Sequence, residues 1–184
     1  PCLQMGELLI AGFSSIVDLV GKKNAGLSSH LTRVQQADMA AQMALIDNLL
    51  RKAEMYICWV HDETYSLVTR TRFGSIYKWP LSAVLPRLKR GEMRGALGDA
   101  HWADKSMAEV LEQAEKALRC LSLHLGTQEY LMGPRPTEAD ALLFGHLFAI
   151  LTTRLPTNEL SNAVRKYQNL VDFAERVENE FFKK

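Results

Sequence analysis

The chain has 184 residues, long enough to bury a core without covalent staples. Its 47% hydrophobic and 23% charged residues exclude a disordered chain, and its net charge of +1 excludes polyanion binding by bulk charge. Cys2, Cys58 and Cys120 stand far apart, with no CxxC and no His/Cys cluster at zinc-ligand spacing, which excludes a disulfide scaffold and suits a reducing compartment.

The chain opens on two short apolar stretches, Cys2-Leu3-Gln4 and Leu8-Leu9-Ile10, joined by Met5-Gly6-Glu7. They read as a hairpin with a permissive glycine in its turn. An isolated hairpin is marginal in water, so this one is expected to end a larger sheet begun upstream of Pro1. Ser14 or Ser15 is expected to cap a short helix carrying Ile16, Val17, Leu19 and Val20, ended by Gly21-Lys22-Lys23-Asn24. Asn24 to Ser29 reads as a linker.

Helical periodicity then runs to the end of the chain. Leu31 to Val60 is one long helix with Val34, Leu45, Leu49, Ala53, Tyr56 and Val60 on its apolar face. Pro80 and Pro86 limit helix length in the next stretch. Arg72-Phe73-Gly74-Ser75 reads as a tight turn, and Pro80 suits a first helical turn. Ser106 and Glu109 form a capping box before a helix whose stripe is Met107, Val110, Leu111, Ala114, Leu118, Leu121 and Leu125, stopped at Gly126. Thr137 and Asp140 form a second box, and breaking it should cost about 0.5–2 kcal/mol. Between Ala141 and Thr153 the one ionisable side chain is His146, so that helix is expected to be central and buried on all sides. It falls short of the roughly 20 apolar residues that span a bilayer. A final helix, Ser161 to Phe182, aligns Val164, Tyr167, Leu170, Val171, Ala174, Val177 and Phe181.

Charge is unevenly placed. Residues 70–94 hold Arg70, Arg72, Lys78, Arg87, Lys89, Arg90 and Arg94 against Glu92 alone, a net +6, while the rest of the chain carries −5. These seven cations, interleaved with Phe73, Tyr77 and Trp79, are the candidate surface for a protein partner or anionic lipid. Stacking on nucleic acid and a plain solvated face are the competing readings, and nucleic acid is not expected. No nucleophile elbow, P-loop or dinucleotide fingerprint occurs. His30, His61, His101, His124 and His146 are scattered, and His146 reads as a hydrogen-bonded core histidine. Asp62-Glu63 could form a carboxylate pair, but reads rather as a solvated helix end or the cap of the next helix at Thr64. No catalytic, cofactor or metal residue is assigned.

Certain segments carry a family likeness. They are Arg72-Phe73-Gly74-Ser75-Ile76-Tyr77-Lys78-Trp79-Pro80-Leu81, Leu125-Gly126-Thr127-Gln128, and Pro136-Thr137-Glu138-Ala139-Asp140-Ala141-Leu142-Leu143-Phe144-Gly145-His146-Leu147, continuing through Ile150-Leu151-Thr152-Thr153. With them the chain resembles the metaxins, nearest their type-two members, over essentially its whole length. The resemblance implies a mainly α, glutathione-transferase-like fold. Residues 1–24 would be the hairpin-plus-helix remnant of a thioredoxin-like domain, and residues 25–184 the all-helical C-terminal domain.

The resemblance also implies a non-catalytic subunit on the cytosolic face of the mitochondrial outer membrane. It would serve protein import and β-barrel sorting and assembly. Its partners would be an anchored type-one metaxin, β-barrel assembly subunits and motor-adaptor proteins, with peripheral membrane contact and no cofactor. The alternative is a glutathione-dependent transferase. Against it, the positions matching that enzyme's γ-glutamyl-binding pair are about Gly12 and Phe13, followed by Ser14 and Ser15, and a site built on polar contacts loses affinity without them. Reversing Arg87, Lys89 and Arg90 to Glu is expected to weaken mitochondrial recruitment and leave the melting temperature nearly unchanged.

Overall fold

The computed structural model describes residues 1–98 and 101–183. The hairpin forms, one residue longer on each strand than expected: β1 (Cys2–Met5) pairs antiparallel with β2 (Leu8–Ala11). Gly6 opens the two-residue turn at φ +61°, the sign a type II′ hairpin turn needs. Helix α1 (Phe13–Lys22) follows. Its N-cap is Gly12, not Ser14 or Ser15, which lie in the first turn. Gly12 has φ +94° and donates its amide to the Pro1 carbonyl at 3.0 Å, so the chain swings from strand to helix without a side-chain cap. Gly21 stays helical. Asn24, at φ +56°, takes the left-handed residue after the helix, a conformation asparagine tolerates.

The expected linker is tied down. Leu27–His30 forms a 3-10 turn, and the Glu138 carboxylate accepts the Leu27 amide at 2.7 Å and the Ser28 amide at 3.4 Å. Thr32 and Gln35 then make a capping box for α2, a continuous helical rod over 33–60. Its backbone loosens to π geometry at Ile46–Leu50 and Tyr56–Val60. A π turn bonds to the fifth residue and rotates the following face by about a residue. Ala53, Tyr56 and Val60 are inward as expected, but before and within the first π segment the face differs from the expected one. Ile46, Leu50, Ala53, Tyr56, Ile57 and Val60 are buried, Leu45 and Leu49 flank them, and Val34 is 80% exposed.

His61 leaves helical geometry, and α3 (62–74) turns back, with its middle also in π form. Helix α4 (Leu81–Gly98) packs against α3 and the end of α2. Pro86 does not limit α4; it sits inside it, buried. A proline has no N–H for the carbonyl four residues back, here that of Ser82. Gly74 fills the space beside that oxygen: a Cβ on Gly74 would sit 2.7 Å from Ser82 O and 3.5 Å from Pro86 Cγ. Gly74 therefore serves close helix approach and not a tight turn, since Arg70–Gly74 is helical.

Helix α5 (Met107–Leu125) has the expected box: Ser106 N donates to Glu109 Oε2 at 2.7 Å, and Glu109 N donates to Ser106 Oγ at 3.3 Å. It ends at Gly126, φ +52°, with the expected stripe turned inward. Helix α6 (Glu138–Thr152) packs on α2, α7 (Glu159–Arg165) and α8 (Gln168–Phe181). It is not buried all round. Ala141, Gly145, Phe148, Ala149 and Thr152 form an exposed stripe opposite buried Leu143 and Leu147. The single final helix expected is two, broken at Lys166-Tyr167. The Ser122–Asn169 contact ties α5 to α8 just past that break, with Ser122 Oγ donating to Asn169 Oδ1 at 2.7 Å. Phe173 is fully buried and stands in the inward face, whereas Phe181 is half exposed.

The Thr137/Asp140 box is larger than its spacing implies. Asp140 accepts the Thr137 amide at 2.8 Å and the Thr137 hydroxyl at 2.7 Å, and its other oxygen accepts the Leu131 amide at 2.7 Å. Burial pushes its carboxyl above the usual carboxylate range, while the Leu131 and Thr137 donors pull it back. Removing it strands two buried amides at about 1–3 kcal/mol each, more than the 0.5–2 kcal/mol of a simple cap. Asp140→Ala is therefore expected to cost about 3 kcal/mol in a denaturant titration, and Thr137→Val about 1 kcal/mol.

Candidate interaction surface

The seven cations of residues 70–94 fall on the α3–α4 hairpin, but they do not form one surface. Arg90 points inward. Its Nε donates to the Trp59 carbonyl at 2.8 Å, and one terminal nitrogen donates to the Val60 carbonyl at 2.8 Å and to Asp62. Its guanidinium lies 4.1 Å from the Tyr65 ring centroid. The last carbonyls of a helix lack intrahelical partners and carry partial negative charge, so Arg90 closes the end of α2. The Arg90 hydrogen bond and charge together hold the exposed Asp62 carboxyl below its ordinary range. Asp62 and Glu63 are not the cap expected before Thr64: α3 begins at Asp62 with His61 at the N-cap, and the two acids stand in its first turn.

Lys89 is half-buried and pairs with Glu92 at 2.7 Å. Arg70, Arg72, Lys78, Arg87 and Arg94 are exposed. None of these five has an ion pair among the described residues; those that are paired are Lys89 and Arg90. The interleaved aromatics also divide. Phe73 stands edge-on to Trp59 at 5.5 Å and tilted to Tyr77 at 5.9 Å. Trp79 alone is free, at 84% exposure. One open ring of three is no platform for stacked bases.

A charge count overlooks the apolar side chains between these cations. Ile76 is 74% exposed and Leu88 65%, and Leu81 and Val84 are exposed beside them. Leu81, Val84 and Leu88 share one face of α4 at helical spacing, and no acid occurs between Thr64 and Gly91. That spacing was present in the sequence. It differs from a core stripe only in lacking a covering element, which the sequence does not display.

Other candidate groups gather elsewhere. His146 Nδ1 meets Glu54 Oε1 at 2.8 Å, linking α6 to α2 as a hydrogen-bonded, partly buried histidine. Both line a wide cleft of about 710 Å³ that also includes Pro1, Gly12, Phe13, Asp47 and Arg51. A carboxylate-oriented imidazole suits a general base, yet none of this cleft's lining residues carries a hydroxyl or thiol for it to activate. Phe13 packs against the core. Burial pushes the Cys58 thiol up to about 11, Glu54 adding to the shift and Arg72 opposing it, so Cys58 is a poor nucleophile near neutrality. Thr137 and Asp140 lie in the interior, remote from solvent. Among the described residues no helix is long and apolar enough to cross a membrane, and no His/Cys/Asp/Glu group suits a metal ion.

The glutathione S-transferase C-terminal domain profile matches residues 114–177, which run from within α5 into α8. The profile of an outer mitochondrial membrane transport complex protein matches residues 1–90, from the hairpin to Arg90. The chain is 51% identical to a metaxin-2 homologue of Caenorhabditis elegans over 154 residues, 84% of this chain and 67% of that one. It is 40% identical to human metaxin-2 over 182 residues, 99% of this chain and 69% of that one. Against mouse metaxin-1 the identity is 28% over 173 residues, 91% of this chain and 55% of that one.

The Arg90 geometry revises the expected outcome of the triple reversal, whose unchanged melting temperature does not hold for a residue that closes a helix end. Arg90→Glu alone is expected to cost about 2–3 kcal/mol, because it removes charge-assisted bonds and strands two carbonyls. Arg87→Glu is expected to leave the thermal midpoint within about 1 °C. Paired thermal melts of the two variants check this.

Proposed function

The chain belongs to the metaxin family, on the side of its type-two members, and from that membership we propose that it is a non-catalytic subunit of a protein-transport complex at the mitochondrial outer membrane. The observation that carries this reading is the 40% identity to human metaxin-2 across 99% of the chain. The match of residues 1–90 to an outer mitochondrial membrane transport complex protein supports the compartment and the process.

In this reading the chain binds an anchored type-one metaxin and, through it, the subunits that sort and assemble β-barrel proteins, with a further link to motor adaptors. It sits on the cytosolic face as a peripheral subunit. Residues 1–24 are the end of a thioredoxin-like domain, and 25–184 are the helical domain that presents the docking faces.

The alternative is glutathione chemistry, and the match to a glutathione S-transferase C-terminal domain is what favours it. The cleft geometry weighs against it. Gly12 offers no side chain to a γ-glutamyl carboxylate, and Phe13 is committed to packing.

The test uses the tagged full-length protein expressed in cells. It is expected to fractionate with mitochondria, to be stripped by alkaline carbonate, and to bring down an anchored metaxin with a barrel-assembly subunit. Recovery free of mitochondria would overturn the assignment. Isothermal titration with millimolar glutathione is expected to give no saturable heat. A saturable isotherm would restore the transferase reading.

A further inference from the structure

The α3–α4 hairpin carries an exposed apolar surface of a particular chemistry. Its turn, residues 75–80, presents Ile76 and Trp79, and the first half of α4 continues them with Leu81, Val84 and Leu88. Arg72, Lys78 and Arg87, exposed and without ion pairs among the described residues, belong to the same hairpin, Lys78 in the turn itself and Arg87 next to Leu88 in sequence. The segment 64–91 contains no acid; of the three acids that flank it, Asp62 is engaged by Arg90 and Glu92 by Lys89, and Glu63 is exposed at the far end of α3.

We propose that this turn and the outer face of α4 seat directly on an anionic phospholipid bilayer. Trp79 would sit at the headgroup level, and Leu81, Val84 and Leu88 would dip into the acyl boundary. The proposal deepens the reading of the chain as a peripheral subunit and rests on it for the identity of the membrane.

Three features favour a lipid surface over a protein partner. First, the apolar side chains stand out from the surface, as Trp79 at 84% and Ile76 at 74% exposure require. A bilayer accepts projecting anchors without shape matching, whereas a protein must supply a fitted pocket for each. Second, an exposed indole beside a lysine is the residue pair enriched at membrane interfaces, where the ring bridges headgroup and acyl region and the long cation reaches back to phosphate. Third, the charged members of this face, Arg72, Lys78 and Arg87, are all cations, the complement of an anionic leaflet. The inward residues of the hairpin hold it rigid beneath: Pro86 is buried, Gly74 packs on Ser82, and Arg90 clamps α2.

The test mixes the full-length protein, without any partner, with vesicles of phosphatidylcholine alone or with a third phosphatidylinositol. Of the three tryptophans Trp102 is buried and Trp59 half-buried, so a change in emission reports chiefly on Trp79. Sedimentation with the anionic vesicles, a blue shift and quenching by brominated acyl chains are the expected results. Trp79→Ser and Leu88→Ser are each expected to weaken binding about tenfold, and Lys78→Glu at least fivefold, since a cation near such a surface contributes about that factor. Leu88→Ser leaves the turn untouched, and circular dichroism of each variant guards against unfolding.

No sedimentation with either vesicle overturns the proposal, as does binding that Trp79→Ser and Leu88→Ser leave unchanged. Wild-type protein that ignores vesicles while Trp79→Ser loses the anchored metaxin in a pull-down would make this face a protein-docking surface, which also overturns it. Because the vesicle assay contains no partner, its failure is distinct from failure of the pull-down that tests the subunit reading.

Discussion

A carboxylate removed from water must find donors or take up a proton, and the first turn of α6 holds two of them. Asp140 answers with the amides of Leu131 and Thr137 and the Thr137 hydroxyl. Glu138, buried one turn-edge away, answers with the amides of Leu27 and Ser28. Two of these partners lie outside the helix: the Leu131 amide in the loop after α5, where Tyr130 and Leu131 are also buried, and the Leu27 and Ser28 amides in the connection between α1 and α2, where Leu31 is buried. The start of the central helix therefore ties together the α1–α2 connection and the α5–α6 loop. The two differ in completeness: both Asp140 oxygens are bonded, whereas Glu138 takes both amides on Oε1 and its Oε2 has no partner among the described residues.

The same logic sorts the basic segment. A helix end demands a donor for its last carbonyls, and Arg90 supplies it at the end of α2. Nothing demands burial of Arg72, Lys78 or Arg87, and they stay in water. Cations adjacent in sequence thus divide into a structural clamp and a surface. The surface acquires its character from the apolar residues between them, which α4 presents outward because Pro86 and Gly74 fix its other face.

Much of the fold was legible in the chain. The hairpin, the capping boxes at Ser106 and Thr137, the α5 stripe and the stop at Gly126 rest on local chemistry that acts within four residues, and local patterns record it. What was not legible depended on distant contacts. The π segments of α2 let Ile46, Leu50 and Ile57 turn inward beside residues that strict 3.6 spacing selects, and Val34, in the first turns of the rod, lies on a part of the helix that no element covers among the described residues. Pro86 was read as a terminator because its compensation, the approach of Gly74 to Ser82, spans eight residues and two helices. The break at Lys166-Tyr167 has no glycine or proline to announce it. At the candidate surface the charge asymmetry was visible, but the inward turn of Arg90 and the exposure of Trp79, Leu81, Val84 and Leu88 were not. A stripe at helical spacing looks the same whether a core or a membrane covers it.

The proposed function is that of a chain working through its surfaces, while the cleft between hairpin and helices holds the His146–Glu54 pair and no lining hydroxyl or thiol among the described residues. Amide hydrogen exchange of the full-length protein, free and in its membrane-bound complex, tests that most directly. The account predicts new protection across residues 75–88 and unchanged exchange around Gly12, Phe13 and His146. Protection confined to the cleft, with residues 75–88 exchanging as freely as in the unbound protein, would contradict it.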